Sequence, residues 1–160
     1  MNARLRPQRI KPMITYQHPD LTQHPPRSPR VRLGGYAHLP RLLDKARAFA
    51  AGKNGSYNYN CPLDQSFFGF TGIDHEKLLA EVKQGKSDTE ILAWVNAHTA
   101  RSPLDVAAWS AFRTQSVPGS SDHHVWFAES IKTAAPGRDD ICTYFDLLDF
   151  DDYVCFGGKA

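Results

Sequence analysis

The sequence predicts an all-α protein: a compact single-domain bundle of six or seven short helices with an extended N-terminal arm. Two observations lead to this prediction. Apolar residues recur three and four positions apart in several segments, and residues that start or end helices border these segments. Runs of alternating apolar and polar residues are missing, and Val and Ile are few, so we expect no strands of ordinary length.

The length and composition fit one globular domain. The chain has 160 residues, of which 41% are hydrophobic and 22% are charged. A chain of this length buries roughly 70% of its unfolded surface, so it needs no disulfide or metal in order to fold. No apolar stretch approaches the ~20 residues of a membrane helix, and we therefore expect no membrane partner.

The predicted arm is residues 1–32, and the predicted helical domain is residues 33–160. The arm holds seven basic side chains and one acidic side chain, a net charge of +6, whereas the remainder carries −4. Its many prolines each remove a backbone donor and disfavour helix in the preceding residue. We interpret the arm as an unfolded extension or as a segment packed on its own acidic body. Nucleic acid, which rewards clustered Arg and Lys, is the less favoured partner.

The predicted elements follow in chain order. Gly34-Gly35 marks a turn, and the apolar spacing from Leu39 to Ala50 predicts the first helix. At each later start, a proline or a capping residue precedes an apolar run. These starts are Pro62, Asp74, Ser87, Ser102, Asp122 and Thr143.

One side of the first helix groups charges of both signs. Arg41, Asp44 and Lys45 lie opposite the apolar stripe, three and four positions apart. Two cations beside one carboxylate can bind an anionic group and keep a base ionised. The same pattern is typical of a solvated helix face with an ordinary ion pair, so both interpretations stay open.

Six aspartates lie between Asp139 and Asp152. They repel one another unless cations lie among them. Asp146 and Asp149, about one helical turn apart, could share a hard divalent cation such as Mg²⁺ or Ca²⁺. The calcium-loop pattern is absent and helix capping alone explains Asp146, so we predict no resident cofactor.

The seven histidines and three cysteines form no familiar metal-binding pattern. No two histidines have the spacing His-x-x-x-His, and there is no Cys-x-x-Cys pair. We therefore predict no metal site built from these residues. Cys61, Cys142 and Cys155 are widely spaced, which is typical of free thiols in a reducing cytoplasm.

Two aromatic residues are candidates for the wall of a binding site. Tyr59 lies in a polar, aromatic loop, and Trp109 lies in the middle of a predicted helix. The alternative for both is packing, since a tryptophan within a helix is usually a core residue.

Several short motifs follow one another over about residues 20–160. The first are Pro26-Arg27-Ser28-Pro29-Arg30, Leu33-Gly34-Gly35-Tyr36, Leu39-Pro40-Arg41 and Asp44-Lys45-Ala46-Arg47. The middle ones are Gly55-Ser56-Tyr57, Cys61-Pro62-Leu63-Asp64 and Gly72-Ile73-Asp74. The last are Pro136-Gly137-Arg138, Phe145-Asp146-Leu147-Leu148-Asp149 and Phe156-Gly157-Gly158-Lys159. This series resembles an uncharacterised bacterial family, domain-of-unknown-function family 5069. The resemblance implies a soluble, cytoplasmic helical protein and carries no activity.

Seven charged residues stand in the motifs of that family: Arg41, Asp44, Lys45, Asp64, Arg138, Asp146 and Asp149. If the fold brings them together, they form a polar pocket with Tyr59 or Trp109 as an apolar wall. In an enzyme, Asp44 or Asp149 would be the acid or base. The basic residues Arg41, Lys45 and Arg138 would then hold a small anionic molecule.

The alternative is a non-catalytic interaction or structural module. Its charged residues would then be helix caps and a buried ion network. The sequence leaves open whether the protein is an enzyme and whether a second copy of the chain is a partner. An open cleft lined by these residues would favour chemistry, and a sealed network would favour a structural role.

Overall fold

This computed structural model describes residues 16–158 of the chain. These residues contain seven helices and one short hairpin. The hairpin pairs β1 (Arg32–Leu33) with β2 (Tyr36–Ala37). The helices are α1 (Leu39–Ala50), α2 (Pro62–Thr71), α3 (His75–Lys83), α4 (Asp88–Ala97), α5 (Pro103–Thr114), α6 (Ser121–Ala134) and α7 (Tyr144–Cys155). The predicted all-α fold is confirmed. No helix within residues 16–158 is long and apolar enough to cross a membrane.

Local capping signals place most of the helix starts. At the starts of α4, α5 and α7 a hydroxyl accepts a backbone N–H three residues on, and the acidic residue at that position accepts the N–H of the cap in return. These capping boxes are Ser87–Glu90, Ser102–Asp105 and Thr143–Asp146. Each satisfies backbone groups that have no partner inside the helix, which is why sequence alone locates these starts.

Two local features differ from the sequence prediction. α6 is capped by Ser120 rather than Asp122, because the Ser120 hydroxyl accepts the N–H of His123. The hairpin has strands of two residues, which are too short to show an alternating pattern. Gly34 and Gly35 form its turn with φ of 57° and 88°, the left-handed region that such tight turns require.

α1 lies at the centre of the fold. All ten residues from Leu39 to Ala48 are buried. The apolar side of α1 belongs to the main core, which also takes residues from the hairpin and from α2, α3, α4 and α5. A smaller core joins α6 to α7 around Phe127, Leu147 and Phe150. Because α1 is covered on every side over residues 39–48, its polar face is buried there as well.

Residues 16–31 lie against the helical domain. Leu21 is buried, and its N–H donates to the Lys53 carbonyl at 2.9 Å. The His38 N–H donates to the Pro29 carbonyl at 2.8 Å, at the start of α1. The described part of the predicted arm therefore packs on the domain. Residues 1–15 of the arm lie outside the described residues, and the division of the chain at residue 32 stays a prediction.

Ser110 of α5 links that helix to the hairpin. Its Oγ accepts the Ala37 N–H at 3.0 Å and donates to the Gly35 carbonyl at 2.8 Å. Ser110 and Ala37 are fully buried, so water does not reach the Ala37 N–H. The Ser110 hydroxyl is its acceptor in place of solvent.

We expect Ser110→Ala to lower the free energy of unfolding by about 1–3 kcal/mol, since the buried Ala37 N–H loses its acceptor. Urea unfolding measures the change. Ser130→Ala is the matched control, because the Ser130 hydroxyl donates only to the Trp126 carbonyl of its own helix. The control should change stability by less than about 0.5 kcal/mol. Equal losses in the two variants would show that the hairpin link adds no stability.

Candidate functional site

Four charged side chains of α1 each bind a partner from another part of the chain. The pairs are Arg41–Asp152 of α7, Asp44–Arg27 of the N-terminal segment, Lys45–Asp64 of α2 and Arg47–Asp88 of α4. These eight residues are called here the α1 ion network. No side chain that α1 contributes to it is more than 5% exposed. Burial of this kind is tolerated only when each charge is paired.

Asp44 is held by three N–H groups of Arg27. The backbone N–H and Nε donate to Oδ2 at 2.9 Å each, and Nη2 donates to Oδ1 at 2.7 Å. Burial raises the pKa of the Asp44 carboxyl. Burial alone would lower the pKa of Arg27, but its hydrogen bonds to Asp44 and Asp88 outweigh burial and raise that pKa. We take the pair as ionised, because three donors converge on a carboxylate that no solvent reaches.

Asp88, the first residue of α4, joins two guanidinium groups. Arg27 Nη1 donates to Oδ2 and Arg47 Nη1 donates to Oδ1, both at 2.6 Å. Burial alone would raise the pKa of Asp88, but the two arginines lower it below its ordinary value. Arg47 also donates to the carbonyls of Tyr16 and Lys86. This junction holds the N-terminal segment, α1 and the start of α4 together.

Arg41 connects α1 to α7 through a two-bond pair. Its Nη1 and Nη2 donate to the two carboxylate oxygens of Asp152 at 2.6 and 3.1 Å. The Tyr57 hydroxyl donates to the same carboxylate at 2.7 Å, and the Arg41 guanidinium lies 5.5 Å from the Tyr57 ring centre. Burial and the bond to Asp152 raise the pKa of Tyr57, so the phenol stays a donor.

Asp64 of α2 joins Lys45 to His38. Lys45 Nζ donates to Oδ2 at 2.8 Å, and His38 Nε2 donates to Oδ1 at 2.7 Å. Lys45 Nζ also lies 3.1 Å from the Asn58 carbonyl and 3.2 Å from Cys61 Sγ. Lys45 and Asp64 are thus two predicted site residues that contact each other, and both are buried.

Two non-glycine residues near Asp64 have a left-handed backbone conformation. His38 has φ 68° and Asn60 has φ 61°, and no other non-glycine residue among 16–158 has positive φ. His38 is the one residue between β2 and α1, so the chain must change direction within it. For a histidine this conformation costs about 1–3 kcal/mol, which the surrounding contacts offset.

His38 is neutral in the folded protein. Burial lowers its pKa to about 4, outweighing Asp64, which would raise it; Lys45 and Arg41 lower it further. With Nε2 donating to Asp64, Nδ1 is left as a buried acceptor that has no hydrogen-bond partner among the described residues. The Asp64 pKa is lowered: burial would raise it, and the contacts with His38 and Lys45 outweigh burial.

The three predicted site residues of α1 do not bind one another. Arg41, Asp44 and Lys45 each point to a different partner, although their helical spacing allows contact. Their catalytic and ligand-binding roles stay predictions. The burial of Asp44, which is 0% exposed, favours the ion-network interpretation over an acid or base that meets a substrate.

The other charged candidates lie at an open groove beside α7. Arg138, Asp146 and Asp149 line it together with Phe150 and Tyr153, and its volume is about 460 Å³. The Arg30 guanidinium bonds both Asp146 and Asp149, and Arg138 bonds Asp140 at 2.6 Å. The divalent cation predicted at Asp146 and Asp149 stays a prediction. Within residues 16–158 no three His, Cys, Asp or Glu side chains are grouped as a metal site would require.

The two aromatic candidates pack on neighbouring rings. The Tyr59 hydroxyl donates to the His75 carbonyl at 2.7 Å, and its ring stacks on Phe49. Trp109 stacks on Phe70 with ring centres 4.9 Å apart. Neither side chain lines the groove beside α7.

Sequence reasoning did not select several members of the network. Asp88 and Asp152 were overlooked as site residues. So were Arg27 and Arg47, which both stand in the family motifs given above. Burial of residues 39–48 of α1 is the signal that would have found them, because every charge on such a helix needs a partner.

We expect Asp44→Asn to lower the free energy of unfolding by about 3–5 kcal/mol, because Arg27 would keep its charge in a buried site without the carboxylate. Arg138→Gln is the matched control, since Arg138 is exposed and its ion pair within residues 16–158 is with its neighbour Asp140. We expect no measurable loss there. Denaturant melts of both variants decide the role of α1, and an Asp44→Asn chain as stable as the parent would favour a ligand pocket.

We expect stability to fall as the pH drops from 6.5 towards 4. The unfolded chain takes up the His38 proton near its ordinary pKa of 6.5, whereas folded His38 has a pKa of about 4. The loss is up to about 1.4 kcal/mol per pH unit. Further loss below about pH 4 comes from Asp64 and Asp88, whose pKa values are lowered in the fold.

His38→Asn isolates the histidine contribution, since Asn tolerates the left-handed backbone. The variant should lose the pH slope between 6.5 and 4 and keep the slope below it. Urea melts at several pH values measure both slopes. An unchanged slope in the variant would show that another group titrates there.

The comparison with curated proteins found no match for this chain. Residues 23–154 match the family model described as "Domain of unknown function (DUF5069)". The match begins in the N-terminal segment and ends in α7, so it includes the whole α1 ion network. The resemblance indicated by the motifs is confirmed: the chain belongs to the DUF5069 family.

Proposed function

We propose that the protein is a non-catalytic interaction module that binds a protein surface through the outward side of α5. The exposed apolar residues of this side are called here the α5 outer face. They are Leu104, Ala107, Ala108, Ala111 and Phe112. They recur three and four positions apart, so they form one stripe along the helix.

The exposure of two large side chains carries the proposal. Leu104 is 77% exposed and Phe112 is 66% exposed. The opposite side of α5 is already in the core through Val106 and Ser110. A helix that is apolar on both sides is ordinarily covered on both. An apolar stripe left open in this way is typical of a surface that binds a protein.

Acid/base chemistry on a small anionic molecule has weaker support. A substrate would have to displace Arg27 in order to reach Asp44, which no solvent contacts. Asp149 is accessible, but Arg30 already bonds its carboxylate. The paired charges agree better with the alternative drawn from the sequence, a structural ion network within an interaction module.

The proposal includes a bacterial, cytoplasmic protein. The three cysteines are free, and Cys142 and Cys155 are exposed. Exposed free thiols suit a reducing compartment. The bacterial assignment is supported by the motifs that the chain shares with its family.

We expect Leu104→Asp to leave the fold intact, because Leu104 contributes almost nothing to the core. Its free energy of unfolding should stay within about 1 kcal/mol of the parent value. Urea unfolding measures this at a protein concentration at which sedimentation shows both chains to be monomeric.

Val106→Asp is the matched control, because Val106 lies two residues away and is buried. A carboxylate placed there would be unpaired in the core and should unfold the domain. If Leu104→Asp also unfolds the monomer, then Leu104 supports the fold and the α5 outer face is not a binding surface.

A further inference from the structure

We propose that Lys45 and Cys61 form a reversible covalent cross-link when the protein meets a peroxide. The product is a sulfenamide, in which Lys45 Nζ is bonded directly to Cys61 Sγ. The link joins α1 to the residue that precedes α2. The proposal does not depend on the α5 outer face and goes beyond the proposed interaction function. It is supported by the distance between the two reacting atoms, the contacts that hold them and the different surroundings of the other two cysteines.

The two reacting atoms already lie close together. Lys45 Nζ is 3.2 Å from Cys61 Sγ. This separation falls within the range of about 3–3.5 Å at which held groups are poised to react. The Lys45 side chain is only 4% exposed, whereas Cys61 is partly exposed, which gives a molecule as small as hydrogen peroxide a route to the thiol. The amine is therefore fixed in place beside an accessible sulfur.

One carboxylate holds both reacting residues. Asp64 Oδ2 accepts an N–H of Lys45 Nζ at 2.8 Å and the backbone N–H of Cys61 at 3.4 Å. The Asn58 carbonyl accepts from Lys45 Nζ at 3.1 Å. An ammonium has three N–H groups, so the remaining one faces Cys61 Sγ. Loss of that proton leaves the nitrogen lone pair directed at the sulfur.

In the first step of the reaction, the peroxide oxidises Cys61. The sulfur attacks one peroxide oxygen, the O–O bond breaks, and the second oxygen leaves as water with the thiol proton. The sulfur loses two electrons and becomes a sulfenic acid, while the peroxide gains those two electrons. A sulfenic acid condenses with a nitrogen that lies against it, and Lys45 supplies that nitrogen.

In the second step, Lys45 Nζ attacks the oxidised sulfur. The S–N bond forms as the S–O bond breaks, and the oxygen leaves as water after taking one proton from Nζ. The nitrogen releases another proton to solvent and ends as a neutral S–NH group. The whole reaction consumes one peroxide and yields two water molecules and one proton. An excess of a small thiol reverses it, because that thiol is oxidised to its disulfide while the S–N bond is reduced to a thiol and an amine.

The other two cysteines have different neighbours. Cys142 Sγ donates to the Asp139 carbonyl at 3.4 Å, and Cys155 Sγ donates to the Asp151 carboxylate at 3.8 Å. No hydrogen bond joins either sulfur to a lysine in the described part of the chain. Burial and the neighbouring Asp151 raise the pKa of the Cys155 thiol, which keeps it protonated and less nucleophilic. Cys61 is therefore the thiol that we expect to form a bond to nitrogen.

Mass spectrometry of the oxidised full chain tests the proposal. The chain carries Cys142→Ser and Cys155→Ser, so that Cys61 is its single cysteine. After brief treatment with hydrogen peroxide at neutral pH, we expect the mass of the single chain to fall by about 2 Da, because the link removes two hydrogen atoms. Proteolysis should yield one cross-linked peptide that contains Lys45 and Cys61. Dithiothreitol should restore the original mass.

Two further chains are controls. Lys45→Arg, added to the same background, keeps a cation beside Asp64 but removes the amine, so its sulfur should gain about 16 Da for each oxygen atom instead. The second control keeps Cys155 as its single cysteine through Cys61→Ser and Cys142→Ser, and it should show no loss of mass. Serine is a favoured N-cap residue, so Cys61→Ser retains the start of α2. Far-UV circular dichroism verifies that each chain is folded.

A reversible loss of about 2 Da that maps to Lys45 and Cys61, and that Lys45→Arg abolishes, supports the proposal. It is overturned if the single-cysteine chain only gains oxygen, stays unchanged or forms a disulfide between two chains. A gain of about 14 Da, the mass change of an oxygen-bridged pair, also overturns the direct S–N bond. If Lys45→Arg does not fold, the cross-linked peptide and the Cys155 control decide the outcome. None of these variants alters the α5 outer face, so failure here leaves the proposed interaction function as it stands.

Discussion

The rest of the structure depends on the burial of α1. A helix surrounded on all sides cannot leave a charge without a partner, since an unpaired buried ion costs several kcal/mol. α1 carries Arg41, Asp44, Lys45 and Arg47, so four separate segments must supply partners. The N-terminal segment, α2, α4 and α7 each supply one. The position of each segment is therefore tied to one side chain of the central helix.

Such pairs specify an arrangement more than they add stability. The cost of removing two charges from water offsets most of their attraction, while the loss of one partner is costly. This difference penalises any packing in which Asp152 or Asp88 fails to reach its arginine. Asp44, which resembles a catalytic group in the sequence, is one of these paired charges.

Charged side chains of α1 are buried, whereas large apolar side chains of α5 are exposed. Charges that could bind a ligand are paired inside, and large apolar side chains that could fill the core are outside. The groove beside α7 is open, but the arginines at its edge already bond its carboxylates. The α5 outer face is one apolar surface without a partner within residues 16–158.

The sequence by itself determined the seven helices and most of their starts, because helix periodicity and capping depend on residues within a few positions of one another. It also identified Lys45, Asp64 and the group Arg138, Asp146 and Asp149 as residues of interest. Only the tertiary structure decided which charges meet. Arg41 and Asp152 are 111 positions apart, and no local pattern encodes a contact at that separation. The tertiary structure also decided which side of α5 is buried, because both sides are apolar and packing against the hairpin and α2 distinguishes them.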